Sequence, residues 1–177
     1  MNTRILRGIL WGIVATVAMT LVHITIWGVE GKLTIHAMAT RMMPSVIIAK
    51  IFGPGLPVPT HLLLAALIHL GYGAFWGAML FALTKRVTFW KGVAMGAFLY
   101  LGAHIFLAPL LGRAPAAKSL GAMVASWFSW FSISTHFTFG ATLGLLGGWQ
   151  DRAEETAQRK MNDAQVQAGS PQSAASR

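Results

Sequence analysis

Long uncharged, apolar stretches alternate with short polar segments along most of the chain. Asp, Glu, Lys and Arg are absent from four windows, which are residues 8–29, 51–84, 92–112 and 119–150. Each window is longer than the roughly 20 apolar residues that a helix needs to cross the hydrocarbon core of a bilayer. The pattern therefore predicts an all-α membrane protein with a four-transmembrane-helix bundle.

Prolines and interfacial aromatic residues set the expected bounds of these helices. Pro54, Pro57 and Pro59 interrupt the second window, because proline lacks the amide hydrogen that a helix interior uses. The last window is too long for one span, and Trp127 near its start is typical of a membrane interface. The prediction is a transmembrane domain over residues 1–150 with helices at about 8–28, 60–84, 90–110 and 127–150.

Two polar or mixed segments lie outside the predicted spans. In residues 33–52, Arg41 and Lys50 interrupt an apolar stretch and Pro44 stands in its middle. This pattern predicts a broken amphipathic segment that lies along the membrane surface. Residues 151–177 are polar, and their composition predicts a largely disordered cytoplasmic tail.

Composition and charge agree with a membrane protein and argue against other classes. Charged residues make up 11% of the chain, against about 25% in an average soluble domain. The net charge is +9, but the basic residues stand in ones and twos at the ends of apolar runs. That placement is typical of topology signals and headgroup contacts, so no nucleic-acid partner is expected. The Lys and Arg bias of the short loops favours a cytoplasmic location for both termini.

An internal repeat relates the second predicted helix to the fourth. Residues 69–77 and 136–144 both read H-x-x-[aromatic]-G-A-x-x-G. The first and third helices share a weaker pattern, a basic residue followed by G-x-x-x-G, at 7–12 and 91–96. These matches predict two tandem two-helix repeats, related by a pseudo-two-fold axis along the membrane normal.

The glycines of the repeat stand four residues apart and therefore share one face of each helix. Small residues at this spacing let helix backbones approach closely, which drives association within lipid. We expect the motif at 69–77 to face the motif at 136–144 across the centre of the bundle. The predicted helix-packing residues are Gly8, Gly12, Gly73, Gly77, Gly92, Gly96, Gly140 and Gly144.

These glycine-flanked spans with an H-x-x-[YF]-G core resemble the four-span inner-membrane proteins of bacteria of the YagU-like kind, over roughly residues 5–150. The resemblance implies a multi-pass protein of the bacterial inner (cytoplasmic) membrane. It carries no activity that could be transferred to this chain.

Each predicted span carries one histidine, and these residues are His23, His69, His104 and His136. Ionisable residues within spans are costly and usually face the protein interior or a cavity. Counting from the outer helix ends places all four rings roughly 9–14 Å below the outer surface. One interpretation is hydrogen bonding between helices. The others are axial ligation of haem b, with His69 and His136 as the symmetry-related pair, a divalent-metal or copper site, and a proton relay.

Signatures of enzymes are missing from the sequence. It holds no Walker loop, no H-E-x-x-H, no G-x-S-x-G and no paired carboxylates within the spans. The favoured prediction is a non-enzymatic accessory or scaffold-type protein, whose Gly- and His-lined helix faces contact other membrane-protein subunits or a second copy. A haem b electron-transfer protein is the first alternative, and a small transporter or metal-binding membrane protein is the second.

Overall fold

The computed structural model describes residues 3–53, 55–112 and 130–169, and its regular secondary structure in those ranges is entirely helical. The helices are α1 (Thr3–Val29), α2 (Ile35–Arg41), α3 (Met43–Phe52), α4 (Val58–Leu83), α5 (Phe89–Leu110) and α6 (Trp130–Gly169). The long helices α1, α4, α5 and α6 form the body of the protein, and the short pair α2 and α3 packs against α4.

Helices α1, α4 and α5 are long and apolar enough to cross a membrane. Yet only 17%, 17% and 11% of the residues in their most apolar windows are buried inside the protein. Exposed apolar surface on this scale marks a soluble protein as an interaction or aggregation site. Lipid tails are as apolar as these side chains, so the outer surfaces of the three helices suit a bilayer.

The helices begin and end close to the prolines and charges that mark them in the sequence. Helix α4 starts at Val58 with Pro59 in its first turn, where a missing amide hydrogen costs no helical bond. Within the described residues, helix α1 starts at Thr3, earlier than expected, and includes Arg4 and Arg7 in its first turns. The first residues of the expected fourth span, 127–129, lie outside the described residues.

Residues 151–169 continue α6 as a helix, so the predicted disordered tail is wrong over this range. Ala, Glu, Gln, Lys and Arg dominate the segment and are all good helix formers. Glu155 and Arg159 also have the favourable four-residue spacing of a helical ion pair. Polarity alone therefore misled the prediction, since a polar sequence with high helix propensity can extend a helix that is already nucleated. Residues 170–177 lie outside the described part of the chain.

The pair α2 and α3 occupies the predicted amphipathic segment and is broken at Met42, which caps α3. The Thr34 hydroxyl caps the start of α2 by accepting a hydrogen bond from the backbone N–H of Ala37. Across the break, the Ser45 hydroxyl donates to the carbonyl oxygen of Met38 at 2.8 Å. These bonds hold the two short helices together as one bent unit beside α4.

Glycine contacts bring α1 and α4 together as an antiparallel pair. Gly8 lies against Gly77, and Gly12 lies against Gly73. A Cβ atom on Gly8 would be only 2.7 Å from the carbonyl oxygen of Gly77, closer than real Cβ contacts allow. The two backbones therefore touch directly, as at small-xxx-small interfaces in membranes.

Helices α5 and α6 pack through the equivalent contact. Gly92 lies against Gly140 and Gly144, and Gly96 lies against Gly140 and the backbone of His136. A Cβ atom on Gly96 would be 2.5 Å from the carbonyl oxygen of His136. All eight predicted packing glycines therefore lie at one of these two helix contacts.

The partners of the glycine motifs differ from those expected. The motif at 69–77 faces the glycines of α1, and the motif at 136–144 faces those of α5, so the expected contact between the two motifs is wrong. Two helix backbones approach most closely where both helices carry small residues. The glycines within residues 8–12 of α1 and 92–96 of α5 are the small residues that meet the two motifs. Helix α1 also packs against α6. A core of larger residues links the two pairs, and its members are Ala15, Leu80, Phe81, Val87, Leu99, Phe139 and Leu143.

Gly73→Ala is expected to destabilise the protein by about 1–3 kcal/mol through overpacking. A Cβ atom at this position would overlap Thr16 Oγ1 and lie 2.9 Å from the carbonyl oxygen of Gly12. The matched control is Gly71→Ala on the same helix, where a Cβ atom meets nothing within 4 Å. Denaturant unfolding in mixed micelles, followed by circular dichroism, compares the two variants. Equal stability of both would contradict the backbone contact.

Candidate functional site

His104 lies in a π-helical turn, Ala103–Leu107, within α5. Pro109 follows this turn and cannot donate a backbone hydrogen bond, and π turns are frequent at functional sites. The Nδ1 atom of His104 is 2.9 Å from the carbonyl oxygen of Tyr100. Because a carbonyl oxygen only accepts hydrogen bonds, we assign the ring hydrogen to Nδ1, which leaves Nε2 of the neutral ring as an acceptor.

Ser132 connects the histidines of α5 and α6. Its hydroxyl lies 3.3 Å from Nε2 of His104, and it donates to that atom. Its carbonyl oxygen accepts from Nδ1 of His136 at 2.8 Å. The two imidazole rings are 6.4 Å apart, and the Tyr100 ring packs against both. Sequence reasoning did not identify Ser132 as a hydrogen-bond partner of His104, because that contact joins two separate helices.

His69 makes a comparable contact between α4 and α1. Its Nδ1 atom lies 3.5 Å from the hydroxyl oxygen of Thr20. That hydroxyl already donates its hydrogen to the carbonyl oxygen of Thr16 at 2.8 Å. We therefore assign the donor to Nδ1 of His69, and Nε2 of this ring is again an acceptor.

The four histidines do not form a single cluster within the described residues. His23 packs edge-on against Trp27, with ring centroids 4.5 Å apart. His69 lies on α4, where its ring contacts Thr20 of α1. His136 neighbours His104. Within the described ranges, no three His, Asp or Glu side chains converge closely enough to hold a metal ion.

A partly open, apolar groove of about 380 Å³ lies between α1, α4 and the pair α2–α3. Its polar side chains are Thr20, Ser45 and His69, and its apolar lining is Val17, Leu21, Met38, Met42, Pro44, Leu62, Ala65, Ala66 and Leu70. A second groove of about 300 Å³ lies between α4 and α5 and is lined mainly by apolar and aromatic side chains, including Tyr72, Trp76 and Phe98.

The expected haem-ligand pair, His69 and His136, shares neither of these grooves. His69 lines the first groove, and His136 lines neither. Among the described residues, these two histidines therefore do not open onto a common groove.

A second polar region joins the start of α1, the loop between α4 and α5, and the middle of α6. We call it the polar clamp, and its central residues are Arg4 and Asp151. In it, Arg4 donates to the carbonyl oxygens of Phe81 at 3.0 Å and Thr84 at 2.7 Å. These carbonyls belong to the last turn of α4 and the residue after it, which lack partners within the helix. Asp151, only 8% exposed, accepts from the backbone N–H of Val87 at 2.7 Å and lies 3.6 Å from the Arg4 guanidinium.

Further contacts extend the clamp along α6. Arg7 forms an ion pair with Glu154, and Arg86 forms one with Glu155 at 3.0 Å. The indole N–H of Trp11 donates to the side-chain oxygen of Gln150. The start of α1, the loop between α4 and α5, and the middle of α6 therefore lie at the same end of the protein.

The fold and these sites define an α-helical membrane protein, as the sequence predicted. No protein-family profile, curated protein or solved structure matches this chain.

Asp151→Asn is expected to lower the free energy of unfolding by about 1–3 kcal/mol, because it weakens a buried hydrogen bond and removes the counter-charge of Arg4. The control is Asp163→Asn, which removes the same charge from an exposed position farther along α6. Denaturant unfolding at low and high salt tests this expectation. If both variants are as stable as the parent protein, the clamp contributes nothing to stability.

Proposed function

We propose that this chain is a four-span protein of the bacterial inner membrane, of the YagU-like kind, built from two tandem hairpins. The hairpins are α1 with α4 and α5 with α6. The glycine contacts support the repeat. In the first hairpin Gly8 pairs with Gly77 and Gly12 with Gly73, and in the second Gly92 pairs with Gly144 and Gly96 with Gly140. The two hairpins therefore pair their glycines in the same register. Residues 130–150 of α6 carry no charge and run antiparallel to α5, which supports their role as the fourth span.

We further propose that both termini face the cytoplasm. The clamp end of the protein carries Arg4, Arg7, Lys85, Arg86 and Lys91, and basic residues in short loops favour the cytoplasmic side. The clamp also requires the start of α1 and residue 151 to share that side.

The natural absence of cysteine allows a clean test of this topology. Single variants Lys85→Cys and Ala157→Cys should react with a membrane-impermeant maleimide only after the cells are permeabilised. Lys32→Cys, in the turn after α1, should react in intact spheroplasts. If Lys85→Cys and Ala157→Cys react in intact spheroplasts and Lys32→Cys does not, the topology is the inverse of the one proposed. If Lys85→Cys and Ala157→Cys react from opposite sides of the membrane, the fourth span is contradicted.

Within this topology, we propose that the protein acts as a non-enzymatic accessory or scaffold. The observation that carries this proposal is that span histidines are engaged in contacts between helices. His69 meets Thr20 across the first hairpin, and His104 meets Ser132 across the second. Such bonds add about 0.6–2 kcal/mol each to helix association in lipid. The apolar faces of α1, α4 and α5 remain available for lipid and for other membrane subunits.

Purification in a mild detergent is expected to yield a complex of fixed stoichiometry, either with another membrane protein or with a second copy. Native mass spectrometry measures its composition. A persistent monomer across several mild detergents and in nanodiscs would contradict the accessory role.

A reduced-minus-oxidised absorbance spectrum of the same sample tests the haem alternative, and no haem band is expected. A split α band that His69→Ala abolishes would favour the haem protein instead.

A further inference from the structure

The groove between α1, α4 and the pair α2–α3 is a built feature of the fold. One wall of the groove is the pair α2–α3, whose bent shape the Ser45–Met38 and Thr34–Ala37 hydrogen bonds stabilise. Ile48 of α3 is only 1% exposed, so this wall packs against the rest of the protein. The groove volume, about 380 Å³, lies within the roughly 300–1,000 Å³ of ordinary ligand pockets.

One side of the groove carries an unused hydrogen-bond acceptor. His69 lines the groove, and its Nδ1 hydrogen points to Thr20 because the Thr20 hydroxyl donates to Thr16. Nε2 of His69 therefore presents a lone pair. Among the described residues, the hydrogen bond of the His69 ring joins Nδ1 to Thr20, and Nε2 takes part in none. In an apolar setting, an acceptor without a donor costs free energy, so a ligand that supplies a donor gains affinity.

These features select the chemistry of the ligand. The apolar lining suits a hydrocarbon body. No Lys or Arg lines the groove, so a carboxylate or phosphate head would stay unpaired in low dielectric at high cost. An ether or ester head brings no donor for Nε2. A neutral hydroxyl group satisfies both conditions.

We propose that this groove binds a membrane-soluble long-chain alcohol whose hydroxyl group donates to Nε2 of His69. The hydrocarbon chain of the ligand lies between Leu62, Ala66 and Met42. This site goes beyond the accessory role, which depends on association with other subunits and not on a ligand in the groove.

The test uses two photoreactive probes, a diazirine-bearing hexadecanol and its methyl ether, with the full-length protein in nanodiscs. Competition by the unlabelled compounds gives relative affinities, and mass spectrometry maps the labelled peptides. The alcohol should bind about 2–10-fold more tightly than the ether, the net effect of one hydrogen bond, and should label peptides that contain residues 38–45 and 62–70.

Three variants separate the hydrogen bond from the cavity. His69→Phe keeps a ring but removes the acceptor, so the preference for the alcohol should vanish while the ether binds as before. His36→Phe is the matched control, because His36 is exposed on α2 and outside the groove, and it should keep the preference. Ala66→Trp fills the groove and should reduce labelling by both probes, with circular dichroism as the check on folding.

Several outcomes overturn the proposal. These are equal binding of alcohol and ether by the parent protein, a preference that survives His69→Phe, and unchanged labelling in the folded Ala66→Trp variant. None of them bears on the accessory role, which the stoichiometry of the purified complex decides.

Discussion

The structure depends on direct contact between helix backbones in an environment where no hydrophobic effect draws helices together. Lipid tails solvate leucine and phenylalanine side chains as well as another helix does, so close packing and hydrogen bonds must supply the association energy. Gly12 against Gly73 and Gly96 against Gly140 provide that close packing in the two hairpins. A single added methyl group at these positions meets backbone atoms that cannot move aside.

Close approach of the backbones also brings polar side chains within hydrogen-bond range. Thr20 reaches His69 only because α1 and α4 touch at Gly12 and Gly73, and Ser132 reaches His104 because α5 and α6 touch in the same way. A neutral imidazole with its hydrogen on Nδ1 can donate to one group and accept from another. The histidines therefore add specificity to contacts that the glycines make possible.

The polar clamp joins the helices at the end of the protein that carries Arg4 and Asp151. Arg4 satisfies carbonyl groups at the end of α4, and Asp151 satisfies a backbone N–H just before α5. Both residues come from parts of the chain that are distant in sequence from the loop that they bind. Because the clamp ties α1 and α6 to that loop, the two hairpins hold a fixed position relative to each other at this end.

The sequence by itself determined the class of the protein, since long uncharged apolar windows are typical of helices that lie in lipid. It also determined which face of each helix packs, because a four-residue glycine spacing marks one face whatever lies opposite. Only the tertiary structure decided the partners, because the same spacing in four helices permits several pairings with equal sequence support. The roles of Ser132 and Asp151, and the groove beside His69, likewise depend on atoms from separate helices, whose distances no local pattern contains. The helix beyond residue 150 also has contacts from other helices and loops, since Arg7 and Arg86 pair with Glu154 and Glu155. These contacts add to the helix propensity of the segment, which its polarity concealed.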